Sequence, residues 1–142
     1  MATIPGFRLV LRLRPRFRDT DAMGHVNNAV FFTYFEEARA EYYRQVVGLD
    51  SYRNVGIILA QTRCDYRSPL FVGEEVDIGT RVDRIGRKSF EMSFAVHACA
   101  DGRLVAEGTC VNVAYDYGAG QTIAIPDEFR RLASAYEGKP LE

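Results

Sequence analysis

From Asp19 to Gly48 the chain reads DTDAMGHVNNAVFFTYFEEARAEYYRQVVG. Its second part has a period near 3.6: Phe31, Phe35, Ala38, Tyr42 and Val46 recur at helical spacing, and Glu36, Glu37, Arg39, Glu41 and Arg44 fill much of the remainder. The spacing predicts a helix from about Asn28 to Val47. Asn27 or Asn28 is the expected N-cap, and Gly48 is the residue expected to stop the helix in a left-handed conformation. Phe31, Phe32, Tyr34 and Phe35 make the first half unusually aromatic, so the helix should be buried more deeply than a surface helix.

On either side of this helix the period changes to two. From Phe7 to about Arg18, Phe7, Leu9, Leu11 and Leu13 alternate with arginines, as in a strand with one buried face. Beyond Gly56 come four further strands: Ile57 to Arg67, Glu74 to Ile85, Ser89 to Ala100 and Arg103 to Tyr117. Gly86-Arg87-Lys88 and Asp101-Gly102 supply tight turns between them. Asp127 to Ala135 reads as a short terminal helix. One strand, one long helix and then antiparallel strands give an α+β layer architecture.

The 142 residues suit one domain spanning 1–142. Eighteen basic and nineteen acidic residues leave a formal net charge of -1, so no global field favours nucleic acid or an anionic membrane as partner. No apolar run approaches the ~20 residues of a membrane span, and the expected location is cytoplasmic. Three cysteines without a C-x-x-C pair, and only His25 and His97, point to no metal site and to three small buried thiols.

The polar stretch Asp19 to Asn28 carries the candidate chemistry. It places two carboxylates, a histidine and two amides immediately before the helix. A helix N-terminus offers backbone N–H groups without intrahelical partners, the feature that stabilises an oxyanion developing on a carbonyl. A neighbouring carboxylate can take a proton from water or attack the carbonyl itself. A thioester is already an activated acyl group, so these two elements are sufficient for its hydrolysis. Residue types alone favour a capped helix start and ordinary turn chemistry; the whole pattern is what speaks for a reactive site.

Asp19-Thr20-Asp21-Ala22-Met23-Gly24 followed by a helix start resembles the Asp-x-Asp-x-x-Gly signature of hotdog-fold thioesterases of the 4-hydroxybenzoyl-CoA and bacterial acyl-CoA type. His25-Val26-Asn27-Asn28, Tyr34 to Arg39, Tyr66-Arg67-Ser68-Pro69 and Arg87-Lys88-Ser89-Phe90 are similar to further family motifs, so the likeness runs from about Phe7 to Tyr115. The resemblance implies a single hotdog domain, with a long central helix wrapped by a curved antiparallel sheet. It implies an acyl-CoA thioesterase without a cofactor, coenzyme A being part of the substrate, and with Asp21 as general base or nucleophile. The Asn28 backbone N–H is the implied oxyanion donor and His25 an assisting group. Asn27, Phe31 and Phe32 are implied to meet the substrate, and Arg84, Arg87 and Lys88 its phosphates. Arg63 and Arg67 are weaker phosphate candidates.

Met23 stands where the acyl-carrier-protein branch commonly has an Asn. An acyl-carrier-protein thioesterase and a non-catalytic acyl-CoA-binding hotdog protein are the alternatives. A curved sheet with an open edge strand needs a covering subunit, and a homodimer or homotetramer is expected.

Overall fold

The computed structural model describes residues 3–48 and 56–142. Five long strands form one antiparallel sheet in the order β1-β3-β4-β5-β2. They are β1 (Leu9–Leu13), β2 (Ile57–Tyr66), β3 (Val76–Ile85), β4 (Ser89–Ala98) and β5 (Leu104–Asp116). A two-residue strand, β6 (Gln121–Thr122), pairs back onto β5. Helix α1 (Val30–Tyr42) lies in the curl of the sheet, and α2 (Asp127–Glu137) closes one end.

The period-two reading finds the inner faces of β3 and β4 correctly but not that of Phe7, which precedes β1 and lays its ring over Gly79 and Arg81, on the opposite face of the sheet from Leu9 and Thr80. Phe90, Met92, Phe94, Val96 and Ala98 are all buried, as are Val76, Ile78, Thr80 and Val82. Directly paired residues share a face, and Leu9, Thr80, Phe94 and Gly108 are joined in register across four strands. A Cβ on Gly108 would lie 2.3 Å from Phe35 Cε2, so this is the face that receives α1. Phe35 is fully buried and stacks on Phe94 with ring centroids 4.7 Å apart. The absent side chain of Gly108 is what lets the helix approach so closely.

Four further expectations need correction. The first strand is shorter than its alternation suggested, ending at Leu13, because Pro15 and a helical turn at Phe17–Asp19 bend the chain toward α1. The helix begins at Val30 with Ala29 in the cap position and no side-chain cap. Asn27 Oδ1 instead accepts the Ala29 N–H at 2.9 Å, so the amide serves a turn before the helix. At the other end the helix widens into a π-turn over Tyr43–Val47 before Gly48 stops it at φ 77°. Of the three cysteines only Cys110 is buried; Cys64 and Cys99 are half-buried, all three as free thiols.

Thr80 is a residual oddity of the core. Its hydroxyl is buried and finds no partner among the described residues. An unmet buried hydroxyl is destabilising, so Thr80→Val is expected to raise stability by about 1 kcal/mol. Urea unfolding checks this; a drop in the midpoint would mean that the hydroxyl has a partner.

Candidate active site

Asp19 and Asp21, two residues apart, have opposite environments. Asp19 is 3% exposed. Its Oδ2 accepts the Arg16 backbone N–H at 2.8 Å and the Tyr34 hydroxyl at 2.9 Å, and its Oδ1 accepts the Arg16 guanidinium at 3.0 Å. Burial pushes its pKa up, but these donors outweigh it and hold the carboxyl below its ordinary 3.8. Asp19 therefore ties the loop to α1 through Tyr34, with three donors already on its carboxylate and its side chain buried.

A carboxyl with a depressed folded pKa contributes stability above its unfolded pKa and loses it as pH falls through the lower folded value. Asp19→Asn is expected to cost about 2 kcal/mol near neutrality. The gap to wild type should narrow only below pH ~4, toward the folded-state pKa. Urea midpoints measured across that range check it; a gap unchanged down to pH ~2 would contradict the assignment.

Asp21 is exposed, and among the described residues its one side-chain hydrogen bond takes the Met23 N–H onto Oδ1 at 2.9 Å. The turn around it is fixed by backbone bonds: Asp21 N–H to His25 O at 2.8 Å and Gly24 N–H to Asp21 O at 3.1 Å, with Gly24 at φ 79°. Val26 N–H donates to Leu70 O and Asn27 N–H to Asp19 O, so the loop is anchored on both sides of its tip.

Beside this loop lies a cleft of about 300 Å³ lined by His25, Asn28, Phe31, Tyr66, Arg67 and Leu70 among others. The Tyr66 hydroxyl donates to Asn28 O at 2.6 Å, and its ring meets Phe31 edge-on with centroids 5.5 Å apart. This orients the Asn28 peptide, and among the described residues nothing accepts the Asn28 N–H. His25 is half-buried, with its ring edge-on to Phe71 at 5.0 Å. Phe31 is buried and Phe32 half-buried against Phe35. Asn27 and Asp21 border the loop without lining the cleft.

The basic turn is elsewhere. Arg84, Arg87 and Lys88 are exposed at the far end of β3, whereas the loop docks on Leu70 and Phe71 just before β3 begins. The ten residues of β3 separate the two by about 30 Å. Within one protomer the carboxylate and these cations are not brought together. Arg130 holds the turn by donating to Gly86 O at 2.7 Å and Arg87 O at 3.1 Å.

Tyr66 and the Asp19–Tyr34 lock escaped sequence reasoning as site features. The Tyr-x-x-Pro motif marked Tyr66 only as part of a turn, although its spacing before Pro69 was the available signal. Among the described residues no cluster of three or more His, Cys, Asp or Glu is placed to hold a metal, and no helix is long and apolar enough to cross a membrane.

The family model of the thioesterase-like superfamily matches residues 15–132. A thioesterase from Thermus thermophilus, in a crystal structure complexed with coenzyme A and Zn, shares 36% identity with this chain. It superposes with a TM-score of 0.88 over 97% of this chain and 100% of that one. A putative esterase from Aquifex aeolicus is 32% identical over 61% of this chain and 70% of its own length. The long-chain acyl-CoA thioesterase FadM of Escherichia coli is 23% identical over 84% of this chain and 92% of its own. With its central helix in a curled antiparallel sheet and the family match across most of its length, this chain belongs to the thioesterase-like superfamily and is a thioester hydrolase of the hotdog fold.

Proposed function

We propose that the protein hydrolyses acyl-CoA thioesters to free acid and coenzyme A, with Asp21 as the reacting carboxylate. The observation that carries this is the Asn28 peptide. Its carbonyl is held by Tyr66, and its N–H has no acceptor among the described residues, two residues before α1 and beside an open cleft. That N–H is the oxyanion donor.

Asp21 takes a proton from water, and the hydroxide adds to the thioester carbon. The resulting oxyanion is met by the Asn28 N–H and the positive end of the helix dipole. Collapse breaks the C–S bond, and the proton returns from Asp21 to the departing thiolate. Direct attack by Asp21, giving an anhydride that water then opens, uses the same groups. His25 and Asn27 shape the loop around the thioester, and Phe31 and Phe32 receive the first part of the acyl group.

Two copies complete the site in this reading. β2 is a ten-residue edge strand with Leu59, Ala60 and Gln61 exposed, an open edge that a second copy covers. A two-fold axis pairing β2 with itself antiparallel sets the Tyr66 end of one strand beside the Ile57 end of the other. The Ile57 end is the end of the basic turn, since Ile57 pairs with Ala114 and Ser89 with Val113. The second copy's Arg84, Arg87 and Lys88 then approach the first copy's Asp21 and meet the phosphates of coenzyme A.

Release of free coenzyme A from short, medium, long and aromatic acyl-CoAs tests this. Turnover of at least one ester supports it. Tight binding without turnover makes the protein an acyl-CoA-binding module, and turnover only of carrier-protein esters moves the substrate to that class.

A further inference from the structure

Helix α1 buries a cation that the chemistry above does not use. Arg39 has a side chain only 11% exposed, and its charged neighbour, Glu36, is 3.9 Å away, beyond hydrogen-bonding distance. Its one further polar contact among the described residues is Cys110 Sγ at 3.8 Å, a weak acceptor. A guanidinium carries five donors and stays charged, so burying it without an oxygen at hydrogen-bonding distance is costly.

The surroundings are polar as well. Tyr43 is 5% and Asn112 1% exposed. The Tyr43 hydroxyl donates to Asn112 Oδ1 at 3.4 Å, and Asn112 Nδ2 donates to Cys110 Sγ at 3.2 Å. With Ile57 and Leu59 of β2, Arg39, Tyr43 and Asn112 line a cavity of about 310 Å³ between α1 and the edge strand. Sheet-core positions are normally apolar in a fold of this kind, so a polar end wall on an otherwise apolar seam points to a ligand atom that accepts hydrogen bonds.

The cavity is lined by the second half of α1, whereas the Asn28 cleft is lined by its first turn. Phe32, Glu36 and Ala40 recur every four residues on one face of α1, with Asn28 two residues before its start and Tyr43 directly after its end. From Asn28 to Arg39 is about 16 Å along the axis, close to the length of an extended chain of about twelve carbons. Glu36 and Glu37 also border the cavity. Two carboxylates against one guanidinium repel a further anion and leave a neutral oxygen as the suitable partner.

We propose that Arg39, with Tyr43 and Asn112, receives a neutral oxygen (hydroxyl, keto or amide) at the far end of the acyl group. Long-chain acyl thioesters oxygenated at that end are then the preferred substrate class. This inference rests on the acyl-CoA thioesterase reading.

The test compares kcat/KM of the full chain on dodecanoyl-CoA, ω-hydroxydodecanoyl-CoA and dodecanedioyl-CoA. The hydroxylated ester is expected to exceed the plain one by about ten-fold or more, the order of one hydrogen bond to a charged donor. The diacid should fall below the hydroxylated ester. Arg39→Met is expected to bring the hydroxyl-to-plain ratio to within about two-fold of unity. Should that variant not fold, inhibition of the wild type by ω-hydroxydodecanoic against dodecanoic acid gives the same comparison, the hydroxy acid being the stronger inhibitor. A wild type indifferent to the hydroxyl, or an Arg39→Met variant that keeps the preference, overturns the inference. Turnover of dodecanoyl-CoA without a hydroxyl gain overturns this inference alone, as does turnover of none of the three when a short or aromatic acyl-CoA is hydrolysed; failure of every acyl-CoA overturns the acyl-CoA reading with it.

Discussion

Asp21→Asn is expected to lower kcat for acyl-CoA hydrolysis by about two to four orders of magnitude, the usual cost of removing one positioned base. The substitution is nearly isosteric. The carboxamide oxygen can still accept the Met23 N–H that Oδ1 accepts now, and the side chain is exposed. Stability should therefore stay within about 0.5 kcal/mol of wild type. Substrate affinity should change far less than kcat, because the interaction removed is one made with the reacting water. Single-turnover kinetics with acyl-CoA, alongside urea unfolding, separates the outcomes. A variant as active as wild type would make Asp21 a turn residue and remove the mechanism. A variant that loses activity together with stability would place the defect in the loop.

Phe35→Ala is expected to be the most destabilising single change considered, at about 3–5 kcal/mol. Phe35 is fully buried, stacks on Phe94 and covers the backbone at Gly108, so truncation opens a cavity where helix and sheet meet. The converse substitution has a related cost. A methyl group at Gly108 would sit 2.3 Å from the Phe35 ring and 2.8 Å from Arg63 O. Gly108→Ala is therefore expected to cost about 1–3 kcal/mol by overpacking. Combining it with Phe35→Leu should cost less than the two singles added, since the smaller side chain vacates the space that the methyl needs. Strict additivity in urea midpoints would show that ring and glycine are not in contact.

The candidate site was legible in part. Asp-x-Asp-x-x-Gly before a helix marked the loop, and the loop is where the cleft lies. Which aspartate is buried was not legible. Asp19 is claimed by Tyr34, fifteen residues on, once α1 folds back over the loop. Its neighbour Asp21 is left exposed by the same fold. The Asn28 peptide depends on Tyr66, thirty-eight residues away; the spacing before Pro69 marks that tyrosine but not its partner. The buried Arg39 looked like one of the charges on the solvent side of an amphipathic helix. Its side chain is largely buried beside Cys110, seventy-one residues on, a neighbour that helical spacing does not reveal.

The sequence by itself determined the order of the main elements, the inner faces of β3 and β4 and the deep burial of the aromatic helix. These follow from the period of apolar residues, since a side chain's direction repeats every two residues in a strand and every 3.6 in a helix. Tertiary structure decided where the helix starts, which carboxylate is available, and that the basic turn stands a sheet's length from the loop within one protomer. Those depend on strand register and on backbone hydrogen bonds between distant segments, and alternation constrains neither.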